Sequence, residues 1–313
     1  MKVTALAGGV GGAKLLVGLD RVLPSSDLTA VVNVGDDAEI YGVHISPDID
    51  IVTYWLANLV DTERGWGLKD DTFSVVDALG DLGQENWFRL GDRDLATCML
   101  RTTRLAQGAT LSTVTGEIAS SLGVRIRLLP ASDDPVRTHV VTNDERVLPF
   151  QDYFVKEHTK PEVTEVRYEG IDSAKPAPGV LDAIIDCDIV VLCPSNPVLS
   201  IAPIVDLPEV RDALIAHPLV VAVSPIVGGQ ALKGPADRLL KSLGGAARSS
   251  WVAHLYRDFC DVFVLDKKDE DEIAAVSKEG PRPIALDTIM SDRDASARLA
   301  SELLNSAKSS EQT

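Results

Sequence analysis

The chain has 313 residues, enough for one large or two modest domains with a substantial core. Apolar residues at 45% and charged residues at 25% match an ordinary folded protein and exclude a disordered one. Thirty Lys and Arg stand against 47 Asp and Glu, a formal net charge of −17 that repels polyanions and sets nucleic acid aside as a partner.

The chain begins Met1-Lys2 and an apolar run, which mimics a short signal peptide. Gly8, Gly9, Gly11 and Gly12 interrupt that run and Lys14 ends it. Apolar, β-branched runs at 3–7, 28–34, 189–193, 219–223 and 262–265 are consecutive, not alternating, as in strands buried on both faces of a parallel sheet. Amphipathic stretches at 13–23, 49–60, 95–105, 205–216 and 231–243 fall between them and predict helices. Strands alternating with helices give an α/β fold. Residues 144–179 break the pattern, with Pro161, Pro176 and Pro178 and an alternating run at 163–168, so a small β-rich insertion is expected there. The core then comprises 1–143 and 180–306, and 307–313 reads as a flexible tail. No stretch reaches the roughly 18 apolar residues of a membrane span, so no membrane partner is expected. The scattered Cys98, Cys187, Cys193 and Cys260 suit reduced thiols in a cytoplasm. Five histidines lie far apart, so any metal should sit on carboxylates.

Four segments carry candidate chemistry. Gly8-Gly9-Val10-Gly11-Gly12-Ala13-Lys14 follows the first strand and opens a helix. Glycines there bring backbone N–H groups to an anion at a helix N-terminus, so Gly9, Gly11, Gly12 and Lys14 are expected to hold phosphate. The spacing matches neither G-x-G-x-x-G nor a Walker A loop, which sets a Rossmann oxidoreductase aside. Next come Asp36 and Asp37 in Asn33-Val34-Gly35-Asp36-Asp37, then Asp48 and Asp50 just before a helix. Hard oxygen ligands that bridge to phosphates suit magnesium, and the expected ligands are Asp37, Asp48 and Asp50. Arg89-Leu90-Gly91-Asp92-Arg93-Asp94 offers guanidinium groups for phosphate oxygens. Pro194-Ser195-Asn196-Pro197 and Ser224-Pro225-Ile226-Val227-Gly228-Gly229 each follow an apolar strand, where small polar loops contact nucleotides.

Together with Arg64–Gly67 (R-G-W-G) and Asp70–Phe73 (D-D-T-F), these motifs resemble, in order and spacing over residues 1–300, the 2-phospho-L-lactate transferase family of deazaflavin coenzyme F-420 biosynthesis. The resemblance implies a Rossmann-like parallel sheet with helices on both faces. It also implies magnesium-dependent transfer of a phosphorylated three-carbon acid from its guanosine diphosphate ester to the ribityl hydroxyl of the deazaflavin Fo, with release of GMP. The acid is 2-phospho-L-lactate in archaeal-like members and phosphoenolpyruvate in actinobacterial-like ones. Fo is then expected on Asp50 and Arg89, the nucleotide on Ser195 and Asn196, and catalysis on Asp50 and Arg93. No general base is named. A homodimer is compatible with this reading. The alternative is a nucleotide-sugar-binding regulator of the related gluconeogenesis-factor, cell-envelope branch.

Overall fold

The computed structural model describes residues 1–232 and 234–308. The first half runs β1 (Val3–Ala7), α1 (Gly9–Val22), β2 (Leu28–Val32), β3 (Ala38–Ile40), β4 (Val43–Ile45), α2 (Pro47–Leu56), α3 (Ser74–Asp81), α4 (Asp92–Ala106), α5 (Leu111–Ser121) and β5 (Arg127–Pro130). A small sheet follows, of β6 (Arg137–Thr142), β7 (Val147–Pro149) and β8 (Val163–Glu169), and then α6 (Val180–Ile185) and β9 (Ile189–Leu192). The rest is α7 (Ala202–Val205), α8 (Val210–Ala216), β10 (Val220–Val223), β11 (Ile226–Val227), β12 (Gln230–Ala231), α9 (Ala236–Ser242), α10 (Ser249–Tyr256), β13 (Val262–Asp266), α11 (Ile273–Lys278), β14 (Arg282–Leu286) and α12 (Arg293–Lys308).

Seven strands form one parallel sheet in the order β14-β13-β10-β9-β1-β2-β5. Every residue of β1, β9, β10 and β13 is buried, so both faces of the central sheet are covered. The α/β expectation therefore holds. Strand order reverses at β1, which pairs with β2 on one side and β9 on the other. The crevice beyond the carboxyl ends of strands at such a switch point is where open α/β sheets bind ligands. The register places Gly8 there beside Asn33, whose N–H donates to Ala7, and beside Cys193, whose N–H donates to Leu6.

The two outer strands escape the sequence pattern for one reason. β5 and β14 are edges carrying Arg and Pro, and β14 is only partly buried along its length, so neither reads as an apolar run. The small antiparallel sheet has the order β7-β6-β8, and its central strand, β6, lies ahead of the expected boundary at 144. Its apolar cluster of Val140, Phe150, Tyr153 and Val163 closes over Leu199 and Leu239 from the main body, which docks the insertion beside the switch point. In place of the flexible tail expected from 307, α12 runs on to Lys308 with Ala307 buried, while 309–313 lie outside the described residues. All four cysteines are free and buried. Among the described residues no helix is long and apolar enough to cross a membrane.

Candidate active site

A cavity of about 1030 Å³ opens beyond the carboxyl ends of β1 and β9. One end is built from backbone and small side chains. Gly8, Gly9, Val10, Gly11 and Lys14 line it from the start of α1, with Pro194, Ser195 and Asn196 opposite. Gly9 adopts φ +62, a left-handed conformation that glycine takes without steric cost. Its N–H donates to Asp48 Oδ1 at 2.8 Å, and the Gly8 N–H donates to Ser195 Oγ at 3.0 Å. Asn196 Oδ1 accepts from the N–H groups of Val198 and Leu199, while its Nδ2 is buried with no partner among the described residues. An unpaired buried donor on a cavity wall is unusual and is open to a ligand acceptor.

Gly11 and Gly12 are glycines for a different reason. A Cβ on Gly11 would lie 2.2 Å from the Pro194 carbonyl oxygen, and one on Gly12 would lie 2.6 Å from Ser195 Oγ. They let α1 approach the loop after β9, and Gly12 is not among the cavity-lining residues. Lys14 donates to the Met290 carbonyl at 2.9 Å and lies over the Trp55 ring.

The other end is built from buried charge. Asp48 accepts from Asn33 Nδ2 at 2.9 Å as well as from Gly9, and burial nonetheless pushes its carboxyl up to about 6. Burial, with the Asp48 and Asp37 carboxylates nearby, pushes Asp36 well above the usual range, and its Oδ1 has no partner among the described residues. Asp50 is paired with the fully buried Arg101, whose Nη1 donates to Oδ2 at 3.1 Å and whose Nη2 donates to Oδ1. Beside them the Tyr54 hydroxyl donates to Asp94 Oδ1 at 2.7 Å, and burial with the Asp50 charge pushes Asp94 up to about 7. Asp50, Asp94 and Cys98 bring ligand-type atoms within 4.8 Å of one another. Burial keeps the Cys98 thiol protonated, so sulfur is a poor partner for a hard cation at this point.

The rim is aromatic and cationic. Arg64 lies over the rings of Trp66 and Phe73, and Arg89 lies over Phe73 at 4.7 Å while pairing with Asp77. The R-G-W-G and D-D-T-F segments thus meet as one platform. Trp87, Phe88, Phe150 and Phe154 continue it around the opening.

Several expected residues fall elsewhere. Asp37 does not line the main cavity with Asp48 and Asp50, although its charge adds to burial in raising both of their carboxyls. Its carboxylate accepts from Ser46 Oγ at 2.9 Å, faces His44 Nε2 at 3.0 Å, and lines a separate cavity of about 660 Å³. Asp36, which lines both cavities, takes its place on the main wall. Arg93 is exposed, donates to the Lys69 carbonyl at 3.1 Å and is not among the lining residues. As the second residue of α4 it points outward, whereas Asp94, one position on, faces the cavity. Asn33, Tyr54, Asp94 and Arg101 were not expected at the site. The spacing of Asp94, Cys98 and Arg101 by four and three residues on one helix face is the signal that could have found two of these, Asp94 and Arg101.

Residues 3–304 match the family described as 2-phospho-L-lactate transferase CofD. The chain belongs to that family. A phosphoenolpyruvate transferase of Kitasatospora aureofaciens is 41% identical over 307 residues, 96% of each chain. A 2-phospho-L-lactate transferase of Methanosarcina barkeri is 41% identical over 294 residues, 94% of each chain. A solved Bacillus halodurans protein shares the fold, with a TM-score of 0.64 at 18% identity over 97% of this chain and 99% of its own. For a member of the CofD family, then, the cavity places a glycine loop and an acidic floor in one continuous space, and the names of its relatives are those of transferases.

Proposed function

We propose that the protein transfers a phosphorylated three-carbon acid from its guanosine diphosphate ester to the ribityl hydroxyl of Fo, releasing GMP, with magnesium as cofactor. The single observation that carries this is one cavity with two chemically different ends. A nucleotide-sugar-binding regulator needs only the first.

The guanosine diphosphate part belongs at the glycine-loop end, where the α1 N-terminus, Ser195 and the free Asn196 amide face the space. Fo belongs at the other end, its ring against the Trp66 platform beside Arg89 and its ribityl chain toward Asp50. In the reaction the ribityl oxygen forms a bond to the phosphorus carrying the three-carbon acid, the bond from that phosphorus to GMP breaks, and the hydroxyl proton is released to solvent. Such transfers depend on positioning and on neutralising phosphate charge. Asp50 accepts a hydrogen bond from the hydroxyl and aims its lone pair. Arg89 lies at the acceptor rim, and Arg93, outside the cavity, has no part in this assignment.

Asp36 and Asp48 are the residues that would hold magnesium. Two buried carboxylates, of which Asp36 is raised by burial and by the Asp48 charge and has an orphaned oxygen, fit a cation shared with substrate phosphates. When bound, the ion supplies neutralisation of phosphate oxygens. The relatives' names divide between two acids, so the test uses both. Protein, Fo and magnesium are mixed with each guanylylated donor, and the products are weighed by mass spectrometry. Fo gaining the acid with an equivalent of GMP is the expected result. GMP released with Fo unchanged, or full activity after exhaustive chelation, contradicts the transfer or the metal requirement respectively.

A further inference from the structure

We propose that Arg101 is a positioning residue of the transfer, holding the Asp50 carboxylate in one orientation at the acceptor end of the cavity. This rests on the reading of Asp50 given above. Arg101 heads the largest fully buried side chains among the described residues, with 0% of its surface exposed. It sits on α4, where the only other buried residue is Cys98, and it does not itself line the cavity. Its guanidinium meets both oxygens of Asp50 and also donates to the His44 carbonyl at 3.3 Å.

Stability alone does not account for this arginine. Taking a guanidinium and a carboxylate out of water is costly, and a buried pair is commonly no more stabilising than apolar side chains of the same volume. A task at Asp50 does account for it. The planar fork takes a lone pair from each carboxylate oxygen and so fixes the plane of the group. The outward lone pairs are left for the ribityl hydroxyl. A lysine at this position would supply charge without setting that plane.

Arg101 thus reaches the reaction only through Asp50. Its loss should weaken Fo and slow turnover while leaving the nucleotide end untouched. The measurements are Fo binding by its fluorescence, GDP binding by calorimetry and kcat, on the full chain. Arg101→Lys is expected to bind GDP within about twofold of the parent, to bind Fo about tenfold more weakly and to lose about 100-fold in kcat. Unchanged Fo affinity and kcat, or equal loss of GDP and Fo, would overturn the proposal, because a merely structural role predicts one of these. The double variant Asp50→Asn/Arg101→Gln removes both charges and keeps the test decisive where a lone arginine replacement unfolds. It is expected to bind Fo as Asp50→Asn alone does. A further tenfold weakening in the double variant would show Arg101 acting independently of Asp50, and would also overturn the proposal. Wild-type protein that binds no Fo at all would remove the underlying reading, an outcome visible before any variant is made.

Discussion

The two ends of the cavity are made by opposite means. At the glycine-loop end, ligand groups come from the main chain and from short neutral side chains fixed by the sheet register, as with Gly8 held to Ser195 and Asn196 capping the turn after it. At the acceptor end they come from buried charged side chains on elements far apart in sequence, joined as Asp50 is to Arg101 across 51 positions. Backbone donors cannot be mutated away singly and tolerate small shifts. Buried charges can be removed one at a time, and each removal leaves a partner uncompensated. Damage at the acceptor end should therefore be larger and more selective.

The largest effect is expected from Asp50→Asn. It removes the charge and puts an NH2 donor in place of one carboxylate oxygen, which strands Arg101, and turnover should fall about 1,000-fold, as with loss of a preorganised catalytic contact. Fo affinity should fall with it while GDP affinity stays, and calorimetry with each ligand measures the split. Equal loss of both ligands would mean the ends are not separate.

A pH series sharpens the same contrast. Burial raises the Asp48 carboxyl to about 6, so protons compete with a cation there below that value. The magnesium concentration for half-maximal activity should climb as pH falls from about 7 to about 5. A requirement that stays flat would move the cation away from Asp48. Stability behaves in the opposite sense at Asp94, whose carboxyl rises from 3.8 to about 7 on folding. The folded state binds the extra proton in that window, so this group's contribution is full below about 4 and is lost as pH rises through about 7. Asp94→Asn should flatten that part of the melting-temperature profile. A slope unchanged by the substitution would show that another group causes it.

Smaller changes are expected at the nucleotide end. A Cβ on Gly9 meets only Asp48 Oδ1 at 3.9 Å and otherwise enters the cavity, and φ +62 strains it. Gly9→Ala should weaken GDP about tenfold and leave Fo nearly unchanged. Gly11 is a poorer probe, since the Pro194 carbonyl oxygen would be pushed away and packing lost. Smallest of all is Arg93→Ala, which removes an exposed guanidinium bonded to Lys69 and should leave kcat within about twofold. A loss of about 100-fold would return Arg93 to the reaction.

The same division governs what the sequence reveals. The sheet centre is legible because strands buried on both faces must be continuously apolar, and the glycine loop is legible because strand, turn and helix are contiguous. Asp48 and Asp50 are legible as carboxylates that open a helix, although their partners are not. Arg101 reads as one more polar residue on an amphipathic helix until its spacing from Asp94 and Cys98 is weighed. Asp36 and Asp37 are adjacent in sequence, and only the turn that follows Val34 decides which of them faces the main cavity. Arg93 shows the converse: a residue in a motif-rich segment is expected at the site, and the helical phase turns it outward.

The central claim is that nucleotide and deazaflavin occupy opposite ends of one cavity at the same time. It is tested most directly by titrating Fo into the protein with and without saturating GDP and magnesium, following Fo fluorescence. The account predicts that a ternary complex forms and that GDP leaves Fo affinity unchanged or tightens it. Displacement of Fo by GDP, with apparent affinity falling in proportion to nucleotide concentration, would place both ligands in one overlapping site and contradict it.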